Sequence, residues 1–156
     1  MRMSRRSFLA AAGAGAAVPA SMATAAERFE VNLTPEQWRR RLSPAAYSVL
    51  RESNTERAGT SPLDREKRRG TFHCAGCDLP LYNSSTKFDS GTGWPSFWSP
   101  IRNAVRTTQE GRLFWARTEV HCRRCGGHLG HVFDDGPKPT GKRYCMNGVA
   151  LRFVPA

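Results

Sequence analysis

The sequence predicts a mainly β domain with antiparallel strands, preceded by short helices. From Gly70 onward, short apolar runs alternate with Gly, Pro, Asn and Asp residues, a pattern typical of short strands joined by turns. Two Cys-x-x-Cys pairs in the same region are suited to a metal site that joins two hairpins. With 156 residues, of which 39% are hydrophobic, the chain has the length and composition of a single domain with its own core.

Residues 1–26 have the features of an export signal. A twin-arginine pattern from Ser4 to Leu9 precedes an apolar Ala/Gly-rich run from Ala10 to Val18, and small residues near position 25 offer a cleavage site. The apolar run is too short to span a bilayer. We therefore expect residues 27–156 to form a mature protein in the periplasm, without a stable membrane anchor. The alternative is a disordered basic N-terminal segment.

Two short helices are expected before the β region. Thr34, Pro35 and Gln37 supply a cap, a first-turn proline and a capping box, which predict a helix that ends at about Arg41. A second Ser-Pro start signal precedes a predicted helix from Ala45 to Leu50.

The strands follow a loop predicted over residues 53–69, which show no apolar periodicity. A hairpin turn at Glu110 and Gly111 is expected between the third and fourth strands. The predicted strands are Thr71 to His73, Leu79 to Tyr82, Ala104 to Thr108, Arg112 to His121, Leu129 to Phe133, Arg143 to Cys145 and Val149 to Phe153.

The formal net charge of +11 raises the question of a nucleic-acid partner. Three of the basic residues lie in the first 26 positions, and the others are scattered along the chain. Basic runs occur only at Arg39 to Arg41 and at Lys67 to Arg69. A solvated surface explains this distribution better than a nucleic-acid-binding stripe, so no nucleic-acid partner is expected.

Cys74, Cys77, Cys122 and Cys125 form two matched pairs. Each Cys-x-x-Cys turn places two thiolates within reach of one tetrahedral ion, and two turns complete a closed, structural zinc site. The alternative is two disulfides or a redox dithiol, which an oxidising compartment would permit. A disulfide within such a turn is strained, so we favour one structural zinc ion per chain.

Cys145 is the cysteine that these pairs leave over. Lys142, Arg143 and Arg152 lie near it in the sequence, and nearby cations favour the nucleophilic thiolate. The alternative is a buried cysteine that serves as a small hydrophobic residue. The sequence around Cys145 leaves both interpretations open.

Two histidines, His128 and His131, lie between the second pair and Cys145, and Asp135 follows four residues after His131. Either histidine could donate a proton near a thiolate. A lone histidine is more often structural. Here an aromatic turn from Gly91 to Phe97 accompanies both histidines and the leftover cysteine in one small domain, and this combination favours a reactive site.

Several motifs together resemble the B-type methionine sulfoxide reductases: Gly93 to Phe97, His128 to Phe133, Arg143 to Asn147, and both cysteine pairs. They occur in order between about Leu33 and Phe153, which makes the resemblance more specific than any single motif. It implies two antiparallel sheets in a tent-like sandwich with short N-terminal helices, and a structural zinc. It also implies reduction of the R epimer of methionine sulfoxide, mostly within polypeptides.

The resemblance assigns the reacting groups by matching position. Cys145 would attack the sulfoxide sulfur and become a sulfenic acid, while His131, assisted by His128, would protonate the departing oxygen. Asp135 would fix one of the histidines in place.

The same resemblance assigns the substrate contacts. Trp94, aided by Phe97, would hold the methyl group of the substrate in an apolar pocket. Arg143 and Asn147 would orient the substrate and stabilise the thiolate. Apart from the resemblance, Trp94 and Phe97 are better interpreted as core residues and Asn147 as a turn residue.

Thr92 departs from the pattern, because many relatives in that family place a resolving cysteine two residues before the tryptophan. No free thiol then remains for an internal disulfide, so an external thiol, such as a thioredoxin-like protein, would reduce the sulfenic acid. We expect a monomer that repairs exported proteins containing methionine sulfoxide. The alternative is a non-catalytic zinc-ribbon module that binds an acidic partner, which would leave Cys145 unexplained.

Overall fold

The computed structural model describes residues 28–111 and 116–156. The predicted export signal, residues 1–26, lies outside the described residues, as does the beginning of the strand predicted from Arg112 to His121. Within the described ranges, no helix combines the length and the apolar character needed to cross a membrane.

Two helices, α1 (Pro35–Arg41) and α2 (Pro44–Glu52), begin where their caps predict. The Thr34 amide donates to Gln37 Oε1 at 2.8 Å, and the Gln37 amide donates to Thr34 Oγ1 at 3.3 Å, which completes the capping box. The buried faces of the helices contribute Trp38 from α1 and residues including Leu50 from α2 to the core.

The strands are short and all pair in the antiparallel sense. One sheet has the order β2-β1-β9, and the other has the order β3-β4-β8-β7-β6-β5. The predicted fold of two antiparallel sheets with short helices is confirmed. The described residues contain the strands β1 (Gly70–Cys74), β2 (Pro80–Asn83), β3 (Lys87–Phe88), β4 (Ser96–Phe97), β5 (Val105–Glu110), β6 (Arg117–Cys122), β7 (His128–Phe133), β8 (Arg143–Met146) and β9 (Leu151–Pro155).

The prediction differed from the structure at a few elements. Strands β3 and β4 were not predicted, because two residues are too few to show an alternating pattern. The loop over residues 53–69 contains a short 3-10 helix, Pro62–Arg65. The last strand starts later than predicted because Gly148–Ala150 form a further 3-10 turn.

A shared aromatic core joins the two sheets. Phe72 of β1, Tyr82 of β2, Phe97 of β4 and Met146 of β8 are fully buried. Tyr82 stacks on Phe97 with 4.3 Å between ring centroids, and its hydroxyl donates to Met146 Sδ at 3.2 Å. Burial raises the pKa of Tyr82 well above its ordinary value, so this phenol stays neutral. Because successive strand residues point to opposite faces, the burial of Met146 in this core places Cys145 on the outer face of the larger sheet.

Candidate active site and metal centre

The four paired cysteines converge on one buried point. Their sulfur atoms all lie within 4.8 Å of one another. Cys74 Sγ lies 3.7 Å from Cys125 Sγ, and Cys77 Sγ lies 3.5 Å from Cys122 Sγ. Each of these contacts joins the turn after β1 to the turn between β6 and β7, so the cluster connects the smaller sheet with the larger one.

Both turns are shaped to bring the sulfurs inward. Backbone bonds from Asp78 N to Cys74 O and from Gly126 N to Cys122 O close the two turns, each at 2.9 Å. Gly126 has a positive φ of 67°, and a Cβ at this position would lie 2.4 Å from the ring of Phe29. A residue with a side chain would therefore strain the second turn.

The donor set fits a structural metal. The four sulfurs are soft ligands in the number that a tetrahedral ion requires, and all four residues are buried. Contacts with Cys122 and then Cys125 and Cys77 raise the pKa of the Cys74 thiol, whereas contacts led by that with Cys125 lower the pKa of the Cys122 thiol. The thiols therefore do not ionise independently of one another. The structure is consistent with a structural metal site at these four residues.

Cys145 has a different environment, at the centre of β8 on the larger sheet. It lies opposite Ser96 of β4 on one side and opposite His131 of β7 on the other. The residue is half-buried and borders a cavity of about 190 Å³. The cavity is lined by Thr55, Trp94, Arg117, Gly130, His131, Phe133, Cys145 and Asn147.

Two glutamates hold the two histidines. His128 is 2% exposed and its Nδ1 lies 2.7 Å from Glu119 Oε1, whereas His131 Nε2 lies 3.2 Å from Glu110 Oε2. The histidine rings meet edge to face, with 5.3 Å between their centroids. The expectation that Asp135 fixes a histidine is therefore wrong: carboxylates on β5 and β6 do so.

Asp135 instead binds Arg143. The guanidinium donates to both carboxylate oxygens, from Nε at 2.8 Å and from Nη2 at 2.7 Å, and it lies 4.4 Å above the ring of Phe133. The pair raises the pKa of Arg143 and lowers the pKa of Asp135. Proximity to Cys145 raises the pKa of Arg143 further. The guanidinium beside that sulfur therefore stays positively charged.

Asn147 and Trp94 are held by one residue of the loop after α2, Glu56. The Glu56 amide donates to Asn147 Oδ1 at 2.8 Å, and the Glu56 carbonyl accepts from Trp94 Nε1 at 2.9 Å. The Glu56 carboxylate also accepts from the Gly148 amide at 2.6 Å, at the start of the 3-10 turn after β8. Both predicted site residues therefore reach the cavity in positions set by a loop distant in sequence.

Phe97 does not lie in the cavity. Its side chain is fully buried in the core between Phe72 and Tyr82, so the expected contact with the substrate is not supported by its position. The alternative interpretation of Phe97 as a core residue agrees with the structure. Trp94 lines the cavity without it.

Sequence reasoning missed several residues of this site. Glu110 and Glu119 gave no signal of their own, although the register of β6 on β7 places Glu119 opposite His131. Glu56 lies in a loop without any motif. Arg117 and Thr55 line the cavity, and only the pairing of strands and the path of the loop reveal this.

The sequence of this chain is similar to those of known proteins. The SelR domain family matches residues 42–155. A peptide methionine sulfoxide reductase MsrB from Pseudomonas putida is 52% identical over 130 residues, which cover 81% of this chain and 96% of the relative. A relative of the same name from Leptospira interrogans is 47% identical over 126 residues, 80% of this chain and 96% of the relative. The chloroplastic peptide methionine sulfoxide reductase B1 of Arabidopsis thaliana is 51% identical over 129 residues, 81% of this chain but 64% of that longer protein.

The fold, the cysteine cluster and these similarities define an oxidoreductase that acts on methionine sulfoxide in peptides. The chain belongs to the SelR-domain family of B-type methionine sulfoxide reductases.

Proposed function

We propose that the chain reduces the R epimer of methionine sulfoxide in proteins, with Cys145 as the nucleophile. One observation carries this assignment: Cys145 is the cysteine that borders a cavity, and His131 and Trp94 line the same cavity. The other four cysteines are buried in the cluster. A sulfoxide side chain entering the cavity would meet a sulfur nucleophile, a proton donor and an aromatic surface together.

The reaction balances without a redox cofactor. The Cys145 thiolate attacks the sulfoxide sulfur and forms a sulfur–sulfur bond, while His131 gives a proton to the oxygen. The hydroxyl then moves from the substrate sulfur to the Cys145 sulfur as the sulfur–sulfur bond breaks, so Cys145 becomes a sulfenic acid and methionine leaves. Two electrons pass from the cysteine sulfur, which is oxidised, to the sulfoxide sulfur, which is reduced. Glu110 Oε2 lies 3.2 Å from His131 Nε2 and orients that ring.

The remaining cavity residues position the substrate. The indole of Trp94, fixed by its bond to the Glu56 carbonyl, offers an apolar surface to the methyl group of methionine. Arg143 is held by Asp135 beside Cys145 and would stabilise the attacking thiolate. Asn147 is buried, and its side chain is fixed by hydrogen bonds to Glu56 and Leu129, which supports a positioning role.

The cluster would hold one zinc ion through Cys74, Cys77, Cys122 and Cys125. A closed set of four thiolates leaves no open position, so the ion would supply stability and no step of the reaction. Its position between the two sheets supports this role, because the sulfur contacts join the turn after β1 to the turn between β6 and β7.

An external thiol would restore Cys145, because Thr92 offers a hydroxyl where a second thiol would be needed. The thiol attacks the sulfenic acid and releases water, and a second thiol then resolves the mixed disulfide. A thioredoxin-like dithiol supplies both.

We further propose that residues 1–26 direct export through a twin-arginine route and that a monomer repairs exported proteins. Changing Arg5 and Arg6 to lysine should leave the precursor in the cytoplasm, and unimpaired export would refute this part.

The activity is tested with a peptide that carries resolved R or S methionine sulfoxide, in the presence of dithiothreitol. Wild-type protein should reduce the R peptide alone, and Cys145→Ser should reduce neither while keeping the melting temperature of the parent. Reduction of the S peptide would refute the stereochemical assignment. Activity in Cys145→Ser would refute the role of Cys145.

A non-catalytic module that binds an acidic partner remains the alternative from another class. No feature of the described residues favours it, since such a module needs neither a cavity at Cys145 nor two histidines held by carboxylates.

A further inference from the structure

A chain of three hydroxyl groups connects the Cys145 sulfur with a backbone carbonyl. Thr92 Oγ1 lies 3.7 Å from Cys145 Sγ and 2.8 Å from Ser90 Oγ. Ser90 Oγ lies 2.7 Å from Ser96 Oγ, and Ser96 donates to the carbonyl of Trp94 at 3.1 Å. Ser96 is fully buried, so the far end of the chain lies inside the protein.

The polarity of this chain follows from counting protons. A hydroxyl group has one proton, and a carbonyl oxygen only accepts. Ser96 uses its proton on Trp94 O, so Ser96 must accept from Ser90, and Ser90 must accept from Thr92. The proton of Thr92 is then also used, and Thr92 can only accept from Cys145. This arrangement satisfies every group when Cys145 is a thiol.

A thiolate at Cys145 requires the opposite polarity. Thr92 must turn its proton toward the sulfur, and Ser90 must turn its proton toward Thr92. Ser96 then either abandons the Trp94 carbonyl or leaves two hydroxyl oxygens 2.7 Å apart without a proton between them. Either outcome costs about one hydrogen bond in a buried position. The thiol proton cannot leave along the chain, because the carbonyl at its end does not take up a proton.

We propose that Thr92, Ser90 and Ser96 form a hydroxyl switch that sets the balance between the thiol and thiolate forms of Cys145. Thr92 favours the thiolate by donating to it, whereas Ser90 and Ser96, held by the Trp94 carbonyl, oppose the thiolate. Ser90 and Ser96 are thus positioning residues that act through Thr92. The inference rests on the proposed role of Cys145 as the nucleophile.

The switch also connects Cys145 with the substrate cavity. Trp94 supplies the carbonyl at the end of the chain, and its indole lines the cavity. A sulfoxide that packs on Trp94 therefore contacts the residue whose carbonyl accepts from Ser96 and so fixes the direction of the hydroxyl hydrogen bonds when Cys145 is a thiol. A thiol is oxidised more slowly than a thiolate, so a nucleophile kept as a thiol between turnovers is protected where no second cysteine can capture its sulfenic acid.

Other charged groups face Cys145 and form a constant background in the test. Arg143 lies two residues away on β8 and is paired with Asp135. His131 lies opposite on β7 in contact with Glu110, and Arg117 of β6 lines the same cavity. The loop that contains Ser90 and Thr92 also contains Asp89, whose carboxylate accepts from the Gly91 amide. None of these groups is altered in the variants below.

The test measures the rate at which iodoacetamide alkylates Cys145 in the folded, reduced protein between pH 5 and 10, followed on the peptide that contains Cys145. Thr92→Val should shift the profile to higher pH, because the hydrogen bond that Thr92 donates to the charged thiolate is stronger than the neutral bond that the reversed polarity costs. Ser90→Ala and Ser96→Ala should shift it to lower pH, because the opposing bonds are lost. One hydrogen bond corresponds to a shift of roughly 0.5 to 1 pH unit. Thr92→Ser keeps the hydroxyl and serves as the matched control, with no shift expected.

The opposite signs distinguish the switch from a general loss of structure, which would move all variants in one direction. If Ser96→Ala does not fold, Ser90→Ala alone carries the second half of the test. The proposal is overturned if the serine variants leave the profile unchanged or shift it in the same direction as Thr92→Val. Alkylation requires no turnover. This test can therefore contradict the switch while loss of activity in Cys145→Ser still supports the proposed function, and the two outcomes are distinguishable.

Discussion

The four-cysteine cluster and the Cys145 cavity place the same side chain in opposite surroundings. In the cluster, each sulfur is buried and has other sulfurs as its neighbours. Cys145 is half-buried and has a hydroxyl, a histidine and an arginine around it. A cysteine surrounded by sulfurs is suited to hold a metal, whereas a cysteine beside a cavity and fixed polar groups is suited to react.

The two regions also differ in how they are built. The cluster lies on two backbone turns closed by local hydrogen bonds, so each half is assembled within a few residues of sequence. The cavity draws on the turn before β4, on β7 and β8, on the start of β6 and on the loop after α2, so residues far apart in sequence form it. A substitution in the cluster should therefore affect stability first, and a substitution in the cavity should affect activity first.

The largest contrast is expected between Cys125→Ser and Cys145→Ser. Loss of Cys125 opens the metal site, so the free energy of unfolding should fall by more than about 4 kcal/mol, with loss of zinc. Cys145→Ser should abolish reduction while changing the free energy of unfolding by less than about 1 kcal/mol. Metal analysis, denaturant titration and the peptide assay measure all three quantities. A Cys125→Ser variant with the stability of the parent, or two disulfides and no zinc in the freshly purified parent protein, would contradict this difference.

Thr92→Cys should turn the cavity into a site with two thiols. The Thr92 hydroxyl lies 3.7 Å from the Cys145 sulfur, so a thiol at this position is close enough to attack a sulfenic acid there after a small rotation. After one turnover, mass spectrometry should show a disulfide between positions 92 and 145, and recycling by thioredoxin should become faster. Thr92→Ser is the control, and it should form no disulfide. Absence of the disulfide in Thr92→Cys would mean that Thr92 does not occupy the resolving position.

The smallest effect is expected from Asp135→Asn, which removes the partner of Arg143. Asp135 is mostly exposed, so the pair should contribute no more than about 1 kcal/mol to stability. Since the pKa of Asp135 is lowered in the folded protein, this contribution should be constant above about pH 4 and disappear as the pH falls through the lowered value. Denaturation of both proteins between pH 7 and 2 measures the difference. A difference that grows toward low pH would contradict the ion pair.

The parts of the fold that could be predicted are those encoded locally. The capping box of α1 and the cysteine turns each lie within four residues, and the structure contains them where the sequence indicates. Strands β3 and β4 could not be predicted, because each pairs two residues through long-range contacts. Because β4 was not predicted, the sequence could not place Ser96 beside Cys145.

The errors in the site have a similar origin. Asp135 follows His131 closely in sequence, which suggested a contact, but β7 ends at Phe133, and Asp135 in the loop beyond it binds Arg143 instead. Phe97 belongs to the same motif as Trp94, yet it points into the core. Glu119 faces the histidines through the pairing of β6 with β7, and only the register shows this.

The most direct test of the division into four structural cysteines and one reactive cysteine follows the sulfurs through one turnover. Reduced protein is mixed with a limiting amount of methionine-R-sulfoxide peptide, without a reductant, and a dimedone probe is added. The account predicts a dimedone adduct on Cys145 alone, no intramolecular disulfide, and about one zinc ion retained by the four unmodified cysteines. A disulfide from Cys145 to any cysteine of the cluster, with release of zinc, would contradict it.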